Sequence, residues 1–161
     1  MSELNLLQPD ERIATDDPAE AALLLGALLD EHAERAAERV LARLGGPLTE
    51  QNLSQFLEDE ACLRYPARIV FDAEGLEAHQ FGEPRLIDRD GNKTCEFRIH
   101  PRFALTPRLL PHFVAYLAPL VNYGPIVSSE MCEWYGALIT ATDPDEYYEL
   151  LCRAVDSVGT S

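Results

Sequence analysis

Metal chemistry is the most specific chemistry that the residue types of this chain suggest, and it rests on Glu77, His79, Glu96 and His100. If residues 76 to 81 and 93 to 100 are strands, alternation puts Glu77 and His79 on one face. It does the same for Glu96, Arg98 and His100, so pairing of the strands gathers two imidazoles and two carboxylates. That donor set suits a zinc-like divalent ion, with a carboxylate left to act as general base. Residues 96 and 100 lie four apart, about 13 Å along a strand. His79 therefore works with only one of them, and Glu77, Asp72 or His112 completes the set. The competing reading, which the sequence favours, is a solvated polar sheet face with crossed ion pairs and no cofactor.

The other reactive side chains read as structural. Cys62, Cys95, Cys132 and Cys152 include no C-x-x-C pair, which fits neither a disulfide framework nor a zinc ribbon, so they are expected as reduced, mostly buried thiols. Glu130 and Glu133 flank Cys132 and disfavour its thiolate. Asp88-Arg89-Asp90-Gly91-Asn92 resembles the start of a calcium loop, but a third oxygen ligand is missing and the twelfth position is Ile99. A hairpin turn with positive φ at Gly91 and Asn92 is the better reading. Trp134 and Tyr147-Tyr148 are expected in the core rather than as a stacking platform. Arg64, Arg68, Arg85, Arg98, Arg102 and Arg108 offer an anion pocket or, preferably, partners for the acidic helices. No nucleophile elbow, phosphate-cradling glycine loop, H-E-x-x-H or dinucleotide fingerprint is present.

Charge narrows the partners. The net charge of -15 argues against nucleic acid and anionic membrane, because both need Lys and Arg to neutralise phosphates. Residues 1 to 61 hold 14 acids and 4 bases, residues 62 to 128 hold 7 and 8, and residues 129 to 161 hold 7 and 1. The bases thus concentrate in the middle. The longest candidate for a membrane span, Ala19 to Leu29, stops at Asp30-Glu31, short of the roughly 20 apolar residues that a bilayer span needs. The first residues lack the pattern of a signal peptide, so a cytoplasmic location is expected.

Periodicity supplies the elements. Asp17-Pro18-Ala19-Glu20 starts a helix, and Gly45-Gly46 stops it after Leu44. Twenty-seven residues measure about 40 Å, close to the diameter of a domain this size. The narrow Ala33, Ala36, Val40, Leu44 stripe suggests self-association there. A second helix is expected from Thr49 to about Ala61, then strands around 69 to 71, 76 to 81, 85 to 88 and 93 to 100, the last two joined as a hairpin. Thr106-Pro107 opens a further helix. Residues 129 to 142 read as a turn of helix followed by a strand, and Asp143-Pro144 starts a terminal helix. The expectation is one α+β domain over residues 1 to 161, with an arm at 1 to 15. It has an N-terminal helical hairpin, a mainly antiparallel sheet and C-terminal helices packed on one face. The function expected is a non-enzymatic protein-interaction or regulatory module, a homodimer or bound to another protein. The alternatives are a metal-dependent hydrolase and a small-anion-binding protein.

Overall fold

A computed structural model describes residues 17–159; the arm read at residues 1 to 15 lies outside them. The Asp17 carboxylate accepts the Ala19 amide at 3.0 Å, Pro18 occupies the first turn, and helix α1 runs over Pro18–Leu44. Gly45 ends it in the left-handed region at φ 74, which glycine enters without steric cost. The expected stripe is buried: Ala33, Ala36 and Val40, with Ala37, pack inward, and α1 lies against α4 (Ser129–Thr140). Its small side chains let two helices of one chain approach closely. An intrachain contact with α4 thus fills the Ala33, Ala36 and Val40 part of this stripe, and Leu44 is half-buried.

The second helix is shorter than its periodicity implies, with α2 covering only Leu53–Glu58. Asn52 ties the preceding loop by accepting from the Thr49 amide at 2.7 Å and donating to the Pro47 carbonyl at 2.9 Å. Asp59 closes the helix by accepting from the Ala61 amide and from Arg43. Side-chain hydrogen bonds to the backbone thus compete with helix at both ends.

Three strands follow, β1 (Ala67–Phe71), β2 (Gly82–Arg89) and β3 (Asn92–Ile99), in the order β1-β3-β2. The β2–β3 hairpin is antiparallel over eight residue pairs, while β1 runs parallel to β3 over five, so the sheet is mixed and, as expected, mainly antiparallel. The hairpin loop is Asp90-Gly91, with φ of 56 and 84, one residue earlier than the Gly91-Asn92 expectation. Two consecutive positive φ values suit the right-handed twist of the flanking strands.

Residues 76 to 81 are not a strand. The Gln80 amide donates to the Glu77 carbonyl at 3.2 Å, the Glu77 amide donates to Gln80 Oε1 at 2.8 Å, and His79 sits at φ 66. This locally satisfied turn lies in the crossover that brings the chain back beside β3.

The carboxyl-terminal third is helical throughout. Tight turns at Pro101–Leu105 and Pro107–Leu109 lead into α3 (Leu110–Tyr123), so the helix expected from Pro107 begins three residues late. Residues 129 to 140 form α4, and the strand expected from Trp134 to Thr142 is absent. Ser128 caps it through the Met131 amide, and Met131, Tyr135 and Ile139 recur at helical spacing on its buried face. Asp143 accepts from the Asp145 and Glu146 amides and starts α5 (Pro144–Gly159). The fold is therefore α+β: among the described residues, five α-helices flank a three-stranded mixed sheet around an apolar core. Among the described residues, no helix is long and apolar enough to cross a membrane.

Candidate functional site

The four candidate metal residues are held apart by separate structural tasks. Without a strand at 76 to 81, Glu77 and His79 share no sheet face with β3, and the His79 ring lies over Gly159 at the end of α5. His100 Nδ1 accepts the Arg102 amide at 3.1 Å and caps the turn at Pro101–Leu105. Glu96 is only 7% exposed, and accepts from Arg68 at 2.6 Å and from Arg98 at 3.2 Å. The Arg68 hydrogen bond, ahead of the other influences, holds its carboxyl below the ordinary value. Asp72 accepts from Arg98, and the His112 imidazole is part-buried beside Tyr147. Among the described residues, no three His, Cys, Asp or Glu side chains converge as an ion would require.

Crossed ion pairs occupy the polar sheet face instead. Register sets Arg68 and Arg85 on either side of Glu96, and Val70 and Glu83 on either side of Arg98. Arg68, Arg85 and Arg98 all engage carboxylates, Glu96, Glu83 and Asp72 among them, on the sheet or its crossover rather than on the acidic helices. Arg64 stacks over Tyr65, 5.3 Å from the ring centroid. Half of the arginine segment is therefore neutralised in place, and Arg102 and Arg108 point outward from the two tight turns.

The thiols are inert where they are buried. Burial pushes Cys62 and Cys132 up to about 12 and Cys95 up to about 11, far from a reactive thiolate at neutral pH. His32 Nδ1 and the Tyr123 hydroxyl are hydrogen-bonded at 2.7 Å.

A concave surface lies on the helical part of the molecule. Between α4 and α5 is a cleft of about 620 Å³ with an apolar floor of Phe81, Tyr116, Leu151 and Val155. Phe81 stacks on Phe113 with centroids 4.5 Å apart and meets Tyr116 edge-on at 5.6 Å, so the floor is continuous with the core. Glu130 and Glu133 from α4 and Asp156 from α5 form its rim. Loss of solvent around Glu133, reinforced by the neighbouring Glu130 charge, pushes the Glu133 carboxyl up. Next to this cleft, a groove of about 470 Å³ between α1 and α4 contains Asp30, Glu34 and Met131, and shares Glu130. Trp134 in the groove is 38% exposed and Tyr148 in the cleft 56% exposed, whereas Tyr147 is buried. Of the aromatics expected in the core, then, only Tyr147 is wholly there.

The α4–α5 junction sets the shape of the cleft. Gly136 has no side chain where the Tyr147 ring crosses α4, and an added Cβ would overlap that ring and its hydroxyl. The hydroxyl donates to the His112 carbonyl on α3 at 2.6 Å, which locks α3, α4 and α5 at one point. Sequence reasoning missed this cleft because it took the second half of α4 for a strand. The available signal was the charge of residues 129 to 161, 7 acids against 1 base, on what proves to be a helical pair. Compared with known proteins, the chain matches no family model, no curated protein and no solved structure, and its function has to be read from this geometry.

Proposed function

We propose that this chain is a non-enzymatic protein-interaction module of the cytoplasm, and that it docks a protein partner on the face made by α4 and α5. One observation carries the reading: a large concave surface whose floor is apolar and whose rim is ionisable but unpaired. Among the described residues, Glu130, Glu133 and Asp156 take part in no ion pair. Apolar surface flanked by uncompensated charge is the composition of a recognition site, with the floor giving affinity and the rim giving selectivity and rate of encounter. The buried thiols and the dispersed histidines favour a binding role over catalysis.

The test is affinity capture from cells that express the chain, with partners identified for wild type and for Tyr148→Ala/Glu133→Arg. Both side chains reach the cleft from the surface, so the fold is preserved. The expected result is a partner held by wild type and by a Glu58→Arg control but lost from the cleft variant. An unchanged set of partners would refute the assignment.

A further inference from the structure

We infer that the cleft between α4 and α5 receives a cationic amphipathic helix, whose apolar face lies on Phe81, Leu151 and Val155 while its Lys or Arg residues meet Glu130, Glu133 and Asp156. This deepens the proposed function and rests on it. Three features of the site define the occupant.

The first is backbone chemistry. Both walls are helices, whose backbone groups away from the first turn of α4 and the last turn of α5 are satisfied within each helix, and no strand residue lines the cleft. An extended peptide would find no strand to pair with and would desolvate its own backbone against an apolar floor. A helix arrives with its backbone satisfied and presents side chains at i, i+3, i+4 and i+7. A volume of about 620 Å³ admits several such anchors.

The second is charge. Three carboxylates from two helices stand over the floor, and the one base on α5, Arg153, pairs with Glu149. Glu133 already bears a desolvation cost next to Glu130. A cation at the rim offsets both, whereas a neutral or acidic partner would deepen them. A second copy of this chain carries the same net charge of -15, and its α1 stripe is buried, so it is a poor occupant.

The third is the exposed Tyr148 ring in the cleft, which can take a Lys or Arg side chain over its face.

The probe is an 18-residue Leu/Lys peptide with Leu at i, i+3, i+4 and i+7 spacing, titrated into the full chain by calorimetry at about 0.15 M salt. Three further peptides go alongside: one with Glu in place of Lys, one with the leucines changed to Ala, and one alternating Lys and Thr as an extended form. The expected dissociation constant is micromolar, weakened about tenfold or more by Glu130→Gln/Glu133→Gln/Asp156→Asn and by loss of the leucines. Removing equal charge elsewhere, as Glu50→Gln/Glu58→Gln/Glu60→Gln, should change affinity less than about threefold. Equal weakening by the two triple variants would reduce the binding to diffuse attraction and overturn the inference. Equal binding of the extended peptide would overturn the helical occupant. A dimer at about 100 μM by light scattering that the cleft triple variant dissolves would assign the cleft to a second copy instead. If the Leu/Lys peptide fails to bind while a cellular partner is still lost with Tyr148→Ala/Glu133→Arg, the helical inference falls and the interaction reading stands. If neither depends on the cleft, both fall.

Discussion

Two glycines inside helices make a sign test of the packing around the cleft. Helix propensity alone says that Gly→Ala should stabilise both Gly26 and Gly136 by about 1 kcal/mol. The surroundings separate them. An added Cβ at Gly26 meets nothing within 4 Å, whereas one at Gly136 overlaps the Tyr147 ring, itself 1% exposed and unable to swing into solvent. Overpacking of this kind costs about 1–3 kcal/mol or more. If the ring does shift, the hydrogen bond from its hydroxyl to His112 at 2.6 Å is lost as well, for about another 1 kcal/mol. After the propensity gain, Gly136→Ala should destabilise by about 1–3 kcal/mol. With an m-value of about 2 kcal/mol/M, its urea midpoint falls by about 0.5–1.5 M, while that of Gly26→Ala rises by about 0.5 M. Equilibrium urea unfolding followed by circular dichroism reads both. An unchanged or higher midpoint for Gly136→Ala would refute the α4–α5 contact on which the cleft depends.

Other perturbations test separate parts of the structure. The Tyr135 hydroxyl is buried with no partner among the described groups, so Tyr135→Phe should stabilise by about 1 kcal/mol in the same urea assay; a loss of stability would reveal a partner. At pH 8 a thiol reagent should modify Cys152 rapidly and Cys62, Cys95 and Cys132 only after unfolding, because burial covers those three and raises their pKa values; rapid reaction of more than one thiol per chain would contradict their burial. Glu96 has a lowered folded-state pKa, so its stabilisation is complete above the unfolded value of 4.5 and is lost as pH falls through the folded value. Glu96→Gln should accordingly lower the thermal midpoint at pH 7 and flatten its acid limb below about 4.5, and a parallel shift at every pH would rule the linkage out. Asp143→Ala removes acceptors from two amides and should destabilise by about 1 kcal/mol in urea unfolding, whereas no change would show the cap to be idle.

What could be read in advance follows the range of the interaction responsible. Asp17-Pro18 and Asp143-Pro144 act on amides two or three residues away, and both caps form as their residue types dictate. The Asp90-Gly91 loop is equally local, and the residues that it joins pair as a hairpin. Elements whose state depends on tertiary partners were harder to read. Residues 134 to 142 have strand composition, yet the core contacts of Tyr135 and Ile139 are made at helical spacing, and burial overrides β propensity. Glu77 and His79 look alternating but lie in a turn fixed by the Gln80 side chain, a contact that periodicity cannot register. With that strand the metal geometry also disappears. The α1 stripe was identified correctly as a close helix contact, but nothing in its spacing distinguishes α4 of the same chain from a second molecule.

The placement of the arginines bears most directly on the interaction reading. Arg68, Arg85 and Arg98 are held by Glu96, Glu83 and Asp72 across neighbouring strands and the crossover, so their charge is consumed within the sheet. Residues 129 to 161 have only Arg153, which pairs one turn away with Glu149. The helical carboxylates remain uncompensated beside the largely buried apolar floor of the cleft, at a cost in self-repulsion that a cationic partner removes. Exposed pairs contribute little to stability in any case. The uneven charge along the chain is thus expressed in space as a neutralised sheet and an acidic helical face, and the cleft on the acidic face has an electrostatic reason to bind.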